Sequence, residues 1–251
     1  MVHFVGAGPG APDLITLRGA ELLRDADVVI YAGSLVNPAL LGLCRPECSI
    51  YNSAEMTLEQ VTEVMETAER KKKTTVRLHT GDPSVYGAVR EQMDRLRAAG
   101  IGFDVTPGVS SFCGAAAAIQ AEYTLPGVSQ TVILTRMEGR TPVPERESIA
   151  SLARHGSTMV VFLSAGMLGA LQDALLQGAY TEDTPAALVY MATWPEEKIA
   201  YTPLGELART GREYGITRTA LVLVGDFLGE AYQRSRLYDP SFGTGYREAS
   251  E

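Results

Sequence analysis

The stretch VHFVGAGPGAPDLITLRGAELLRDADVVIY, residues 2–31, sets the fold class. Val2 to Val5 reads as a short strand, Gly6 to Asp13 as a glycine-rich loop, Thr16 to Asp25 as an amphipathic helix, and Asp27 to Tyr31 as a second strand. Strand, helix and strand in that order require a crossover connection, which pairs the two strands in parallel. The alternation continues in strands at Thr74 to His79 and Phe103 to Thr106. Helical periodicity fills Leu58 to Lys71 and Ala88 to Ala99, where Gly100 supplies the stop. Residues 1–123 therefore read as a parallel α/β domain, closed by the Pro-Gly turn signal within Tyr123 to Gly127.

Strand-like runs resume at Thr131 to Thr135, Thr158 to Ser164, Ala186 to Met191, Lys198 to Thr202 and Thr219 to Val224, with helices at Ser148 to Arg154 and Leu168 to Leu176. The last strands have shorter connections and room for antiparallel pairs, so residues 124–230 are expected to form a second α/β domain with a mixed sheet. Residues 231–251, with Pro240, Gly243 and Gly245, form a tail with little to bury.

Of 251 residues, 45% are hydrophobic, which supplies two modest cores and excludes a disordered chain. Lys plus Arg at 22 against Asp plus Glu at 30 gives a net charge of −8, which argues against nucleic acid and against anionic membrane surfaces. Arginine outnumbers lysine 18 to 4, so an acidic ligand would be met by locally gathered guanidinium forks. No apolar run reaches the roughly 18 residues of a membrane span, and a cytoplasmic location is expected. Cys44, Cys48 and Cys113 have no CxxC spacing and His3, His79 and His155 are scattered, so a disulfide framework and a metal site both lack support.

Three loops carry the chemistry. In the first, Gly6, Gly8 and Ala11 formally satisfy the GxGxx(G/A) dinucleotide fingerprint. Pro9 removes an N–H where a pyrophosphate would be cradled, and Pro12 delays the helix to about Thr16. The second strand ends Tyr31-Ala32-Gly33-Ser34 with no acid for a ribose, so the residues argue against NAD. The second loop, His79 to Gly87, has Gly81 for an unusual backbone angle and Asp82, which suits either a ligand's amine and hydroxyls or a helix cap. The third, Thr106 to Ala118, places Ser110 and Ser111 before a helix so rich in alanine that something bulky must lie against it. All three leave C-terminal ends of parallel strands, where open α/β sheets bind ligands.

With residues 2–31, Thr80 to Gly87 (TGDPSVYG) and Thr106 to Ala118 (TPGVSSFCGAAAA) in this order, residues 1 to 228 resemble the tetrapyrrole methyltransferases of corrin and sirohaem synthesis. Within that family, Tyr31 to Pro38, His79 to Gly87 and Thr193 to Lys198 are most similar to members that methylate C11 of precorrin-4. The uroporphyrinogen-III methyltransferases, in contrast, carry Tyr-Asp-Arg-Leu where this chain has Tyr31-Ala32-Gly33-Ser34. The resemblance implies S-adenosylmethionine, left as S-adenosylhomocysteine, in a cleft between the two domains, and a homodimer. It implies Pro9 in the cleft floor, and Gly81, Asp82 and Val85 against the amino-acid and ribose portions with Ser110 and Ser111 beside them. From the second domain it implies Ser164, Met191 and Ala192, with Thr219 and Ala220 as last contacts, while Ser34 and Tyr86 would line the macrocycle pocket. It assigns no catalytic residue. The polycarboxylate substrate points to Arg45, Arg90, Arg136 and Arg140 as candidate partners. The alternatives are a cobalt-containing form of the same substrate, the uroporphyrinogen reaction, and, in other classes, a non-catalytic nucleotide-binding module or a scaffold.

Overall fold

The computed structural model describes residues 1–249. Its contacts divide the chain into two compact units, one of Met1–Ala118 with Met191–Lys198, the other of Ile119–Tyr190 with the chain from Ile199 on. The division falls a few residues before the expected Pro-Gly turn because Tyr123 already belongs to the second unit. Its ring stands edge-on to Phe227, and its carbonyl accepts a hydrogen bond from Thr158 Oγ1 at 2.8 Å.

In the first unit, β1 (Val2–Gly6), β2 (Val28–Tyr31), β3 (Ser49–Asn52), β4 (Thr75–His79) and β5 (Phe103–Thr106) form a wholly parallel sheet in the order β3-β2-β4-β1-β5. The crossovers are α1 (Leu17–Asp25), α2 (Leu58–Arg70) and α3 (Arg90–Ala98), and α4 (Ser111–Ala118) follows β5. Thr16 caps α1, accepting from Gly19 N, and Thr57 with Gln60 closes a capping box on α2. The central strands are covered on both faces, which is why they read as continuous apolar runs. Val5, Val29, Val76 and Leu78 pack with Leu23 of α1 on one face, and Phe4 and Ile30 pack with Met65 of α2 and Leu96 of α3 on the other. Each such fully buried side chain contributes ~1.5–3 kcal/mol.

β1 and β4 are neighbours, with Gly6 opposite His79. The chain leaves β1 through α1 toward β2 and leaves β4 through α3 toward β5, on opposite faces of the sheet. Their C-terminal ends are thus a topological switch point, where diverging connections open a crevice. β3 is a strand that sequence reading missed. It is a four-residue edge strand whose Ile50 and Tyr51 are exposed, so it carries no alternating pattern.

In the second unit, β6 (Val132–Arg136), β7 (Thr158–Phe162), β8 (Pro185–Tyr190), β9 (Lys198–Pro203) and β10 (Ala220–Val224) form a sheet in the order β6-β7-β10-β8-β9. β6 runs parallel to β7, while β10 is antiparallel to both β7 and β8, giving the expected mixed sheet. Helix α5 (Ile149–Ala153) supplies Ile149 to its core, α6 (Leu168–Leu176) Leu171 and Leu175, and α7 (Leu207–Glu213) Leu207. The sequence reading did not include α7. From Glu230 the tail is largely exposed, Tyr232, Tyr238 and Tyr246 included.

Two titratable groups lie inside the first unit. Arg77 is 6% exposed and is answered by neutral acceptors: Nε donates to Gln92 Oε1 of α3 at 3.0 Å and Nη1 to the Ile30 carbonyl of β2 at 3.1 Å. Burial without a carboxylate pushes its pKa down to about 10. His79 lies stacked on Phe4, its Nε2 buried without a hydrogen-bond partner. Burial, with the nearby Arg77 charge, pushes His79 down to about 3. The unfolded chain takes up this proton below about pH 6.5 and the folded one does not, so stability present above pH 6.5 is lost as pH falls toward 3. Chemical denaturation at pH 6.5 and pH 5 is expected to show the wild type losing about 2 kcal/mol more than His79→Leu. Equal losses would place the protonation elsewhere.

Candidate functional site

The site is built on the close approach of three backbones at the switch point. Gly6 ends β1, the middle strand, with Gly81 beyond β4 on one side and Gly108 beyond β5 on the other. A Cβ on Gly6 would lie 2.6 Å from both Gly108 Cα and Gly81 O, and one on Gly108 would lie 2.2 Å from Gly81 O. Gly8 (φ 84°) and Gly81 (φ 58°) are left-handed and form a two-way bridge, Gly81 N donating to Gly8 O at 2.8 Å and Gly8 N to Gly81 O at 3.3 Å. Gly6 and Gly8 of the first loop therefore serve backbone-to-backbone packing. As the prolines predict, no helix opens over them, and α1 begins only after Thr16.

Asp82 locks the arrangement. One carboxylate oxygen accepts from Gly108 N at 2.8 Å, and the other accepts from Ser84 N at 2.8 Å and from Ser84 Oγ. Burial by itself would raise the Asp82 pKa, but the hydrogen bonds from Ser84 Oγ, Gly108 N and Ser84 N outweigh it and hold the carboxyl below its ordinary value. Of the two roles left open for Asp82, the helix cap is corrected: α3 starts only at Arg90, and Asp82 instead ties the second loop to the third. Tyr86 (φ 55°) and Ala88 (φ 48°) are left-handed non-glycine residues that postpone α3 beyond its expected start. Val85 is half-buried and Tyr86 exposed after β4, Ser34 is exposed in the turn after β2, and Ser110 is buried beside half-buried Ser111 at the start of α4. The bulky group expected against the alanine-rich α4 is Pro9 with Thr193. A Cβ on Gly114 would lie 2.7 Å from Pro9 Cβ and 3.4 Å from Thr193 Cγ2.

Met191 and Ala192 were expected to come from the second domain, but Met191–Lys198, the connection between β8 and β9, belongs to the first unit. Thr193 Oγ1 accepts from Ala11 N at 2.9 Å, and Trp194 Nε1 donates to Pro9 O at 3.1 Å. Asn37 Nδ2 adds a bond to Gly10 O at 2.9 Å. Asn37, Thr193 and Trp194 are site residues whose roles sequence reasoning did not find, because the contacts of Thr193 and Trp194 span more than 180 residues.

Three expected strand ends of the second sheet are cut short by left-handed residues: Leu163 (φ 52°), Thr219 (φ 53°) and Met191 (φ 46°), the last being the first residue of the segment that belongs to the first unit. Since Ala220 pairs with Tyr190 and β10 is antiparallel to β7, these positions gather at one end of the sheet. Strain of this kind costs about 1–3 kcal/mol per residue and collects at functional sites. Thr219 is exposed there and Ala220 buried. Ser164, however, is fully buried and its hydroxyl is engaged internally, donating to Phe162 O at 2.7 Å and accepting from Met137 N at 2.9 Å. Leu163, 65% exposed, is the side chain that this turn presents.

Three of the four candidate arginines are committed. Arg45 pairs with Asp27 and Glu47, Arg90 with Asp94, and Arg136 donates to the carbonyls of Met137, Thr141 and Pro142. Arg140, exposed in the loop that Arg136 shapes, has no hydrogen bond or ion pair among the described residues. Among those residues there is no cluster of three metal-ligating side chains, and no helix long and apolar enough to cross a membrane.

Residues 1–208 match the tetrapyrrole (corrin/porphyrin) methylases. The chain belongs to this family. It is 49% identical to a cobalt-precorrin-4 C(11)-methyltransferase of Methanocaldococcus jannaschii, over 99% of this chain and 96% of that one. It is 44% identical to a precorrin-4 C(11)-methyltransferase of Mycobacterium tuberculosis, over 94% and 95%. Among solved structures, a cobalt precorrin-4 methyltransferase aligns with TM-score 0.89 at 45% identity, covering 91% of this chain and 96% of that one. A uroporphyrin-III C-methyltransferase from Thermus thermophilus complexed with S-adenosylhomocysteine aligns with TM-score 0.76 at 27% identity, over 90% and 92%. This tetrapyrrole methylase thus bears out the expected family and the two-part α/β architecture.

The family member's glycines give a direct check on the loop packing. Gly108→Ala is expected to destabilise by about 1–3 kcal/mol, because the added methyl meets backbone rather than a movable side chain. Gly42→Ala, with nothing within 4 Å of its Cβ, is expected to stay within about 0.5 kcal/mol of wild type. Urea denaturation of both variants decides it, and equal effects would show that the three loops do not depend on this approach.

Proposed function

We propose that the protein transfers a methyl group from S-adenosylmethionine to C11 of precorrin-4, giving precorrin-5 in cobalamin biosynthesis. The observation that carries the reading is the set of three cross-tied loops at the switch point, in a chain matched over 94% or more of its length by relatives bearing that activity in their names. The cofactor fits these loops on chemical grounds. Around Gly81 the nearest atoms to a would-be Cβ are backbone atoms of Ser110 and Ser111, at 3.4 Å and beyond, so the main chain of the third loop borders the Thr-Gly-Asp-Pro turn.

S-adenosylmethionine supplies an electrophilic methyl group whose bond to sulfur breaks as the bond to C11 forms, the sulfur leaving as a neutral thioether and the substrate releasing a proton. An electron-rich reduced pyrrole carbon needs alignment more than activation, so the protein's contribution is positioning. Asp82 holds the second and third loops in register. Pro9, Gly81, Val85, Ser110 and Ser111 border the cofactor, and Ser34 and Tyr86 stand after β2 and β4 for the macrocycle. The resemblance adds Met191 and Ala192 and, within the second unit, Thr219 and Ala220, and of the four candidate arginines Arg140 is the one free to meet a substrate carboxylate. The reading carries a cytoplasmic homodimer with it. A second reading, the cobalt-containing substrate, is favoured by the 49% identity to the Methanocaldococcus enzyme.

Calorimetry with S-adenosylhomocysteine comes first, with NAD as control. Micromolar binding is expected, weakened about tenfold (about 1.4 kcal/mol) in Asp82→Ala, with no heat from NAD. A folded wild type that ignores S-adenosylhomocysteine, or answers NAD instead, would overturn the reading. Anaerobic incubation with precorrin-4 and with cobalt-precorrin-4, followed by mass detection of a product one methylene heavier, separates the two substrates; turnover of neither would leave a nucleotide-binding module.

A further inference from the structure

The segment Thr193 to Lys198 holds the first loop at Pro9 and Ala11. Past Gly8 that loop leaves the β-bridge, and each of its next three residues has a backbone group taken by a distant side chain: Pro9 O by Trp194 Nε1, Gly10 O by Asn37 Nδ2 and Ala11 N by Thr193 Oγ1. The fit is close, since a Cβ on Gly10 would lie 2.1 Å from Trp194 Cδ1. The strap is itself over-determined. Thr193 is left-handed at φ 70°, an outlier for a β-branched residue, and its N–H is held by Glu197 Oε2 at 2.6 Å while Trp194 N donates to Met191 O at 3.0 Å.

We propose that Thr193 and Trp194 are positioning residues for the cofactor, fixing Pro9–Ala11 in one conformation so that the loop needs no ordering when S-adenosylmethionine binds. The proposal rests on the methyltransferase reading. The restraint passes onward through bonds already described: Pro9–Ala11 continue into Gly8, Gly8 bridges to Gly81, and Asp82 next to it holds Gly108. Loosening the strap therefore frees the loops that border the cofactor, and the ordering entropy reappears as weaker binding. The chemical step, once the cofactor is bound, is unchanged.

Thr193→Val keeps the branched Cβ and removes only the acceptor; Thr193→Ser keeps the acceptor; Trp194→Phe keeps a ring against Gly10 and removes the donor. Thr193→Val and Trp194→Phe are each expected to raise the S-adenosylhomocysteine Kd and the S-adenosylmethionine KM about tenfold with kcat held within about twofold, while Thr193→Ser stays near wild type. Hydrogen exchange at the Ala11 amide, accelerated in Thr193→Val, reports the strap without any ligand. Faster exchange with unchanged Kd overturns the proposal and leaves the methyltransferase reading standing, as does unchanged exchange or a fall in kcat at constant KM. A wild type that does not bind S-adenosylhomocysteine removes both.

Discussion

The first unit depends on how closely three peptide backbones can approach where its sheet changes winding direction. Gly6, Gly81 and Gly108 lie near enough that any side chain on Gly6 or Gly108 would collide with main-chain atoms, which cannot rotate away. Packing this tight leaves no room for a side chain at Gly6 or Gly108, so main chain meets main chain there. Asp82 then converts proximity into a fixed geometry by spanning from the second loop to the third. The parallel sheet beneath is rigid because both of its faces are buried, and the loops inherit that rigidity.

Much of this was legible in the residues. Alternating apolar runs located every strand of the first unit except β3, whose exposed Ile50 and Tyr51 hide it, and prolines at positions 9 and 12 correctly placed the start of α1 well beyond the glycines. Other features were not legible, for identifiable reasons. Leu163, Met191 and Thr219 continue apolar or β-branched runs and look like strand, yet each turns left-handed and ends its ladder. Nothing local in the sequence marks that turn, because the surrounding fold imposes it. Ser164 looked like a ligand contact by position, but its hydroxyl satisfies two backbone groups where β6 and β7 end. The bonds from Thr193 and Trp194 to the first loop depend on tertiary contact alone.

Charge is handled in two opposite ways. Arg77 is kept ionised inside the first unit by neutral acceptors of β2 and α3, an arrangement in which the carbonyl dipoles replace part of its lost hydration. At the surface, Arg45 and Arg90 are neutralised by adjacent acids and Arg136 is spent on shaping a loop. Of the four arginines weighed as partners for an acidic ligand, the exposed Arg140 is the one left without a hydrogen bond or ion pair among the described residues.

The interrupted first unit has a consequence for vectorial synthesis. Its sheet and helices are all encoded by Ala118, but the residues that bond to Pro9 and Ala11 lie at positions 193 and 194. At about 5–20 residues per second, a ribosome needs roughly 4–15 s to elongate from one point to the other. For that interval the nascent unit holds a finished sheet with a glycine loop tied at Gly8 and Gly10 but not yet at Pro9 and Ala11. The loop becomes fully fastened only after most of the second unit's strands have also left the tunnel, so the chain order itself delays ligand-competent geometry until the remainder of the protein is nearly in hand.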